Sequence, residues 1–278
     1  MNPLPLLLLL FLLPSRAAGR DYAAMLSKGS GPYFEAYLAF QKAFGHPVVP
    51  VDLSRPGAAL PGGLKAAAAF GSKAAGLPYK PGTRVIGALA PGFLPPARPG
   101  YTVISPLPPP EKALAAFKSL QPGLRRLGVI YGGRAWNAYA EELAAAGRSA
   151  GIEILPERTV SAALPERLRS LLGRADAFWL LPEPTLIDRD AIAMLSSFSC
   201  ANKLPFYAPS AGLVPLGATA ALAPGFAAAG EAAAAALKRA LAGESLPPVL
   251  YADGPELTFN AEAAAKCGLP MSRQGGRK

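Results

Sequence analysis

The 278-residue chain has one histidine and two cysteines, and only 18 acidic residues against 28 basic ones. Acid–base and nucleophilic catalysis need groups of suitable pKa held within reach of one another, and histidine is the commonest of them. With His46 alone, His-based triads and multi-His metal sites have almost no material. His46 stands beside Pro47, between a predicted helix and a predicted strand, the setting of a solvated loop residue. Cys200 and Cys267 lack the CxxC spacing of a zinc site. Gly128-Val-Ile-Tyr-Gly-Gly133 is not a GxGxxG fingerprint, and no Walker-type GxxxxGK[ST] loop is present. Glu183 and Asp188 are the only local acidic pair near a predicted strand end, and two carboxylates are what a glycosidase-like site would use. Asp188 is more simply read as the N-cap or first-turn anion of the helix that follows. The inventory points away from an enzyme, with no catalytic residue, cofactor or metal expected.

Long apolar runs are also scarce. The only candidate is Leu4–Leu13, interrupted by Pro5 and too short for the roughly 20 residues that span a bilayer core. A short apolar core followed by Pro14, Ser15, Arg16, Ala17 and Ala18 has the pattern of a secretory signal peptide cleaved near Ala17–Gly19, although no Lys or Arg precedes it. No cysteine follows the run to accept a lipid. Beyond residue 20, Pro, Gly, Lys or Arg interrupts each apolar stretch, so a soluble, periplasmic mature protein is expected. About 260 residues exceed what one compact core usually holds, which predicts two lobes.

The formal charge is +10 and the pI 9.8. Basic proteins attract polyanions, but a nucleic-acid surface needs the charge clustered on one face. Here Lys65, Lys73, Lys80, Arg84, Arg98, Lys112 and Lys118 are spread singly, and only the tail Arg273, Arg277, Lys278 is dense. No nucleic-acid partner is expected; attraction to the anionic outer face of an inner membrane is the milder implication. In an oxidising compartment Cys200 and Cys267 can form a disulfide. They can equally be two separate buried thiols acting as small apolar side chains.

From residue 22 short apolar runs alternate with helical periodicity, the signature of an α/β chain with parallel sheets. Predicted strands are Tyr22–Leu26, Val48–Leu53, Ala66–Phe70, Arg84–Ala90 and Tyr101–Ser105. Ala66–Phe70 lacks β-branched residues and is read as a strand from its position between Gly62-Gly63 and Gly71. Tyr33, Tyr37, Phe40 and Phe44 mark one helix face. Pro106, Pro108, Pro109 and Pro110 mark a linker. A second series follows, with strands at Leu127–Tyr131, Ile152–Leu155, Ala175–Leu181 and Leu204–Tyr207. Helices start near Glu111, Trp136, Pro165 and Asp188. The final segment adds strand candidates at Gly217–Leu222, Val249–Ala252 and Leu257–Phe259. It also adds a helix over Phe226–Leu241 and another over Asn260–Cys267, capped by Asn260. Two βα series imply two doubly wound parallel-sheet lobes joined by a multi-stranded hinge. The expected division is a leader at 1–19, a first lobe over 20–108 plus 217–250, a second over 109–216 plus 251–272, and a basic tail at 273–278.

Arg126-Leu-Gly-Val-Ile-Tyr131, Ala175-Asp-Ala-Phe-Trp-Leu-Leu-Pro182 with Glu183-Pro-Thr-Leu186, Leu204-Pro-Phe-Tyr-Ala-Pro-Ser210 and Gly217-Ala-Thr-Ala carry a resemblance. With Gly225–Gly230, Leu241–Gly243 and Asn260–Leu269, the chain resembles the ABC-transporter substrate-binding family often grouped with tryptophan and tyrosine transport. The resemblance runs over roughly 125–270 and thins over 20–110, where Ser27–Tyr33 and Gly71-Ser-Lys-Ala74 carry it. It implies the type I periplasmic-binding fold. Arg55–Gly63 replaces a stretch where family members usually have more helix, and Glu183 stands where they commonly carry Asp.

Ligands in open parallel sheets sit beyond the carboxyl ends of the strands, so the candidate binding residues follow the apolar runs. Ser27, Gly29, Ser30 and Tyr33 follow the first strand, offering close backbone approach and a covering ring, or an ordinary βα turn. Gly71 and Ser72 offer amides and a hydroxyl to a carboxylate. Tyr131 and Gly132, then Glu183 and Thr185, follow strands of the second lobe, and Glu183 can pair with a ligand amine. Ser210 adds one donor. Tyr33 and Tyr131 would face each other across a cleft, or both pack under their helices. Closure about Ser105–Pro110 and Pro215–Thr219 would trap an α-amino acid or similar small amphiphile and create a surface for an ABC permease in the inner membrane. The protein is expected to act as a monomer. A different role, a sensor or scaffold of the same fold that recruits a membrane partner, is motivated by the shortened first lobe.

Overall fold

The computed structural model describes residues 21–272. The leader at 1–19 and the tail Arg273, Arg277, Lys278 lie outside the described residues. In chain order the first half contains β1 (Tyr22–Leu26), α1 (Pro32–Phe44), β2 (Pro50–Asp52), β3 (Ala66–Phe70), α2 (Ser72–Ala75), β4 (Arg84–Ala88), β5 (Tyr101–Ser105) and α3 (Pro110–Leu120). Then come β6 (Arg126–Tyr131), α4 (Asn137–Ala150), β7 (Glu153–Arg158), α5 (Leu164–Ser170), β8 (Ala177–Leu180), α6 (Arg189–Asn202), β9 (Phe206–Ala208) and β10 (Ala220–Ala223). The last stretch holds α7 (Phe226–Leu241), β11 (Val249–Tyr251), β12 (Glu256–Phe259) and α8 (Ala261–Lys266).

These strands form two six-stranded sheets, ordered β11-β5-β4-β3-β1-β2 and β12-β10-β9-β8-β6-β7. Every pairing in the first is parallel. In the second only β12 runs antiparallel, against β10. Parallel neighbours need a crossover, which is why helices cover both faces of each sheet.

In the first lobe Ala36, Phe40 and Phe44 of α1 and Ala233 and Leu237 of α7 pack on Ala66, Ala68, Phe70 and Ile86. On the opposite face Met25, Ala67, Ala69, Tyr79 and Tyr101 close a second layer. In the second lobe Leu114, Phe117 and Leu143 meet Val129, Trp179 and Tyr207 on one side. Leu168, Ile192 and Leu195 meet Phe178 and Phe206 on the other. Each fully buried side chain of this kind contributes about 1.5–3 kcal/mol. Asp176 fixes the start of the second sheet: its carboxylate accepts the Arg125 and Arg126 amides at 2.9 and 2.8 Å and the Arg126 guanidinium at 2.9 Å. Burial pushes its pKa up, yet those bonds outweigh it and hold the carboxyl below the usual range.

The chain passes between lobes after β5, after β10 and after β11. The strand candidate at Gly217–Leu222 was expected with the first lobe and the hinge at Pro215–Thr219. Instead β10 pairs with β9, Ala220 opposite Tyr207, and the Thr219 hydroxyl accepts the Phe206 amide at 3.0 Å. Those bonds keep residues 217–223 in the second sheet and move the crossing to Pro224-Gly225. The first crossing falls within the predicted proline linker, and the third follows Tyr251. The Arg55–Gly63 stretch forms turns, leaving β2 as an edge strand. Cys200 and Cys267 are bridged, tying the end of α6 to the end of α8.

Candidate functional site

Loops at the carboxyl ends of β1, β4, β8 and β9 converge on one cleft of about 410 Å³ between the lobes. Pro32, Tyr33, Leu89 and Pro91 line it from the first lobe, and Pro182, Ile187, Pro209 and Ser210 from the second. Pro106 and Ala223-Pro224, in or beside the crossings, and Phe226 at the start of α7 complete the lining. The volume lies within the roughly 300–1,000 Å³ of small-molecule sites. The opposite rims come close at Gly92, where a Cβ would lie 3.3 Å from Pro184 Cδ. Leu89 lies in the left-handed region at φ 52°, a conformation that costs a non-glycine residue about 1–2 kcal/mol and concentrates at functional sites.

Of the candidate residues, Tyr33 and Ser210 line this cleft. The others are placed differently. The Ser27 hydroxyl accepts the Ala74 amide at 3.0 Å, and the Gly29 amide donates to Asp52 at 2.9 Å. Gly29 borders a separate hollow of about 430 Å³ with Phe34, Asp52 and Arg55. There the Ser54 hydroxyl and amide, then Gly29 and Arg55, hold the Asp52 carboxyl below the usual range. Ser30 is exposed in the loop before α1.

Gly71 is not an anion seat, because its amide donates to the Ala88 carbonyl at 2.8 Å. Its role is steric: at φ 96° a Cβ would lie 2.4 Å from Ser27 Oγ and 2.8 Å from Tyr33 Cε1, so glycine makes room for the tyrosine ring. The Ser72 hydroxyl donates to the Pro91 carbonyl at 3.2 Å and steadies the rim.

In the second lobe Tyr131 is 8% exposed and packs with Trp136 and Tyr139 in the core. The ring pair expected across the cleft is therefore not formed: Tyr131 ends β6 with its side chain on the helix-covered face. Glu183 is 5% exposed. It accepts the Gly133 amide at 2.7 Å, the Thr185 hydroxyl at 3.0 Å and the Thr185 amide at 3.4 Å. The carboxylate thus caps its own turn and uses Thr185 to do so. Gly132 allows this approach, with a Cβ there 3.0 Å from Glu183 Cγ.

The residues overlooked in the sequence are mostly prolines. Pro106, Pro182, Pro209 and Pro224 stand within two residues of the ends of β5, β8, β9 and β10, and Pro91 follows β4 at three. Proline lacks the N–H a parallel ladder needs, so a proline after an apolar run marks a strand's carboxyl end. In this architecture that is the cleft. Among the described residues no group of three His, Cys, Asp or Glu could hold a metal ion.

The profile of a family described as "ABC transporter substrate binding protein" matches residues 95–274. The chain belongs to that family. The binding protein is similar to an ABC domain from Streptococcus pneumonia solved with L-Trp, at 16% identity and TM-score 0.60, covering 91% of this chain and 97% of that one. It is also similar to a ligand-free, open substrate-binding protein with adhesive properties from Clostridium difficile, at 15% identity and TM-score 0.62, covering 91% and 96%. A Clostridium phytofermentans solute-binding protein with bound L-rhamnose aligns at 9% identity and TM-score 0.50, covering 89% and 98%. These likenesses show the type I periplasmic-binding fold. The fold extends to a regulator, CelR with cellobiose, at 12% identity and TM-score 0.50, covering 86% of this chain and 83% of that one. A comparison with curated proteins found no match. The family is typically extracytoplasmic, and among the described residues no helix is long and apolar enough to cross a membrane.

Proposed function

We propose that this binding protein is the periplasmic solute-binding component of an ABC importer, exported by its leader and acting as a monomer. It holds one small molecule in the interlobe cleft and delivers it to an inner-membrane permease. The observation that carries the reading is the cleft itself, lined from both lobes and bordered by two of the crossings. A ligand touching both walls favours the arrangement in which the walls are closest, so binding draws the lobes together. The closed form then presents a permease with a surface the open form lacks. The ligand class is an amino acid or a similar small amphiphile.

Calorimetry of the mature protein against amino acids, aromatic acids and neutral aromatic compounds tests the reading, with solution scattering on each hit. A ligand with Kd below about 100 μM and a smaller radius of gyration on binding are expected. If nothing in the screen binds, or a bound ligand leaves the scattering profile unchanged, delivery by closure is wrong. Crosslinking to a membrane protein other than a permease would instead favour the sensor or scaffold role, which the shared fold of ligand-responsive regulators also accommodates.

A further inference from the structure

Half of the twelve residues lining the cleft are prolines, and none of the twelve carries a formal charge. Proline contributes a carbonyl acceptor but no amide donor. Its ring loses essentially no rotamer freedom on burial, so these walls are formed before a ligand arrives and little ordering cost opposes binding. Tyr33 and Phe226 add aromatic faces, and Leu89 and Ile187 aliphatic ones. The side-chain polar points in the lining are the hydroxyls of Tyr33 and Ser210.

The carboxylate of Glu183, next in the chain to the lining residue Pro182, is occupied by donors of its own lobe from Gly133 and Thr185. An ammonium or carboxylate group leaving water for an apolar cleft needs an opposite charge or a full set of hydrogen bonds. The lining offers no opposite charge to either. A flat ring loses nothing by the move: pyrrolidine and aromatic rings pack face to face, as they do where proline-rich peptides dock in aromatic grooves. A single hydroxyl or N–H on that ring needs only one acceptor, which one lining carbonyl can supply, whereas an ammonium needs three.

Resting on the reading of this cleft as the ligand site, we propose that the ligand is an uncharged, ring-bearing small molecule. Its face lies against the prolines, Tyr33 and Phe226, and its donor group meets a backbone carbonyl. This is the apolar end of the small amphiphiles considered above and excludes a zwitterionic amino acid.

The test is calorimetry of the mature protein at neutral pH with four compounds sharing one ring: p-cresol, phenylethylamine, phenylacetate and L-phenylalanine. p-Cresol is expected to bind more tightly than each charged analogue by at least about tenfold. Ile187→Lys, which puts a cation into the lining, is expected to reverse the order of p-cresol and phenylacetate. Phe226→Ala, at a side chain 40% exposed and so tolerant of truncation, is expected to weaken p-cresol by about tenfold. Tighter binding of L-phenylalanine or another charged analogue overturns the inference while leaving the transport reading intact. So does an unchanged order in Ile187→Lys with retained circular dichroism. Binding by none of the four overturns it as well, and the fate of the transport reading then follows from the broader screen.

Discussion

The fourth strand of each sheet, counted from the edge formed late in the chain, is β3 in one lobe and β8 in the other. β3 reads Ala66-Ala67-Ala68-Ala69-Phe70 and β8 reads Ala177-Phe178-Trp179-Leu180, and all nine residues are at 0% exposure. With alanine on the sheet, helices must come close for their side chains to touch it. With Trp179, Phe178, Tyr207 and Phe206, the sheet itself fills the space beneath the helices. The first lobe is therefore a core that volume can be added to only at a cost, and the second a core that volume can be removed from only at a cost. The disulfide belongs to the second lobe alone. Both tryptophans, Trp136 and Trp179, also belong to it, so tryptophan fluorescence reports that lobe separately.

The largest effect should come from truncating the aromatic layer. Phe117 stacks on Tyr207 at 4.2 Å with planes 2° apart and meets Trp179 edge-on at 5.0 Å. Phe117→Ala should cost about 3–5 kcal/mol, read as an earlier midpoint in tryptophan-monitored urea unfolding. A loss under about 1 kcal/mol would mean that this layer repacks freely and that the lobes do not differ as described. The next effect concerns the bridge, which closes a sequence separation of 67 residues. Replacing Cys200 and Cys267 together by serine should cost about 2–4 kcal/mol through the freer unfolded chain. The same fluorescence midpoint should move, while hydrogen exchange in β1, β3 and β4 stays as it was. Equal loosening of both lobes would break the comparison.

The same contrast explains what could be read without coordinates. Strands such as Arg126–Tyr131 and the Phe178-Trp179 run announce themselves through β-branched and aromatic residues. β3 was legible only from its flanking glycines, because alanine favours helix and its burial comes from α1 and α7, distant in sequence. The affiliation of β10 was misread because pairing with β9 and β12 is a tertiary choice with no local signal. The strand-end rule pointed to the loops after β1, β8 and β9, which border the cleft, and passed over the one after β4; within the loops, polar residues were weighted over prolines. Glu183, Ser27 and Thr185 look available in a sequence; in the fold each is already bonded to a neighbour. Tyr131 falls on the helix side because side chains alternate along a strand and Leu127, Val129 and Tyr131 share one face. Tyr33 reaches the cleft because Gly71 leaves it room.

A close helix approach in the first lobe offers a test of sign. Gly230 of α7 lies against α1, and a Cβ there would sit 2.0 Å from the Ala36 carbonyl oxygen. In an exposed helix, replacing glycine by alanine gains about 1 kcal/mol. Here backbone is the obstacle, so α1 and α7 must separate and lose contact along Ala36, Phe40, Ala233 and Leu237. The net change for Gly230→Ala should be a loss of about 1–3 kcal/mol, smaller than the effects above because helices can slide while an emptied aromatic site cannot refill. Ala235→Leu, on the exposed side of α7, should stay within about 0.5 kcal/mol. The loss should show in hydrogen exchange of α1 and α7, with the tryptophan-monitored midpoint nearly fixed. A gain of stability in Gly230→Ala would mean that the helices are not held close by the alanine sheet.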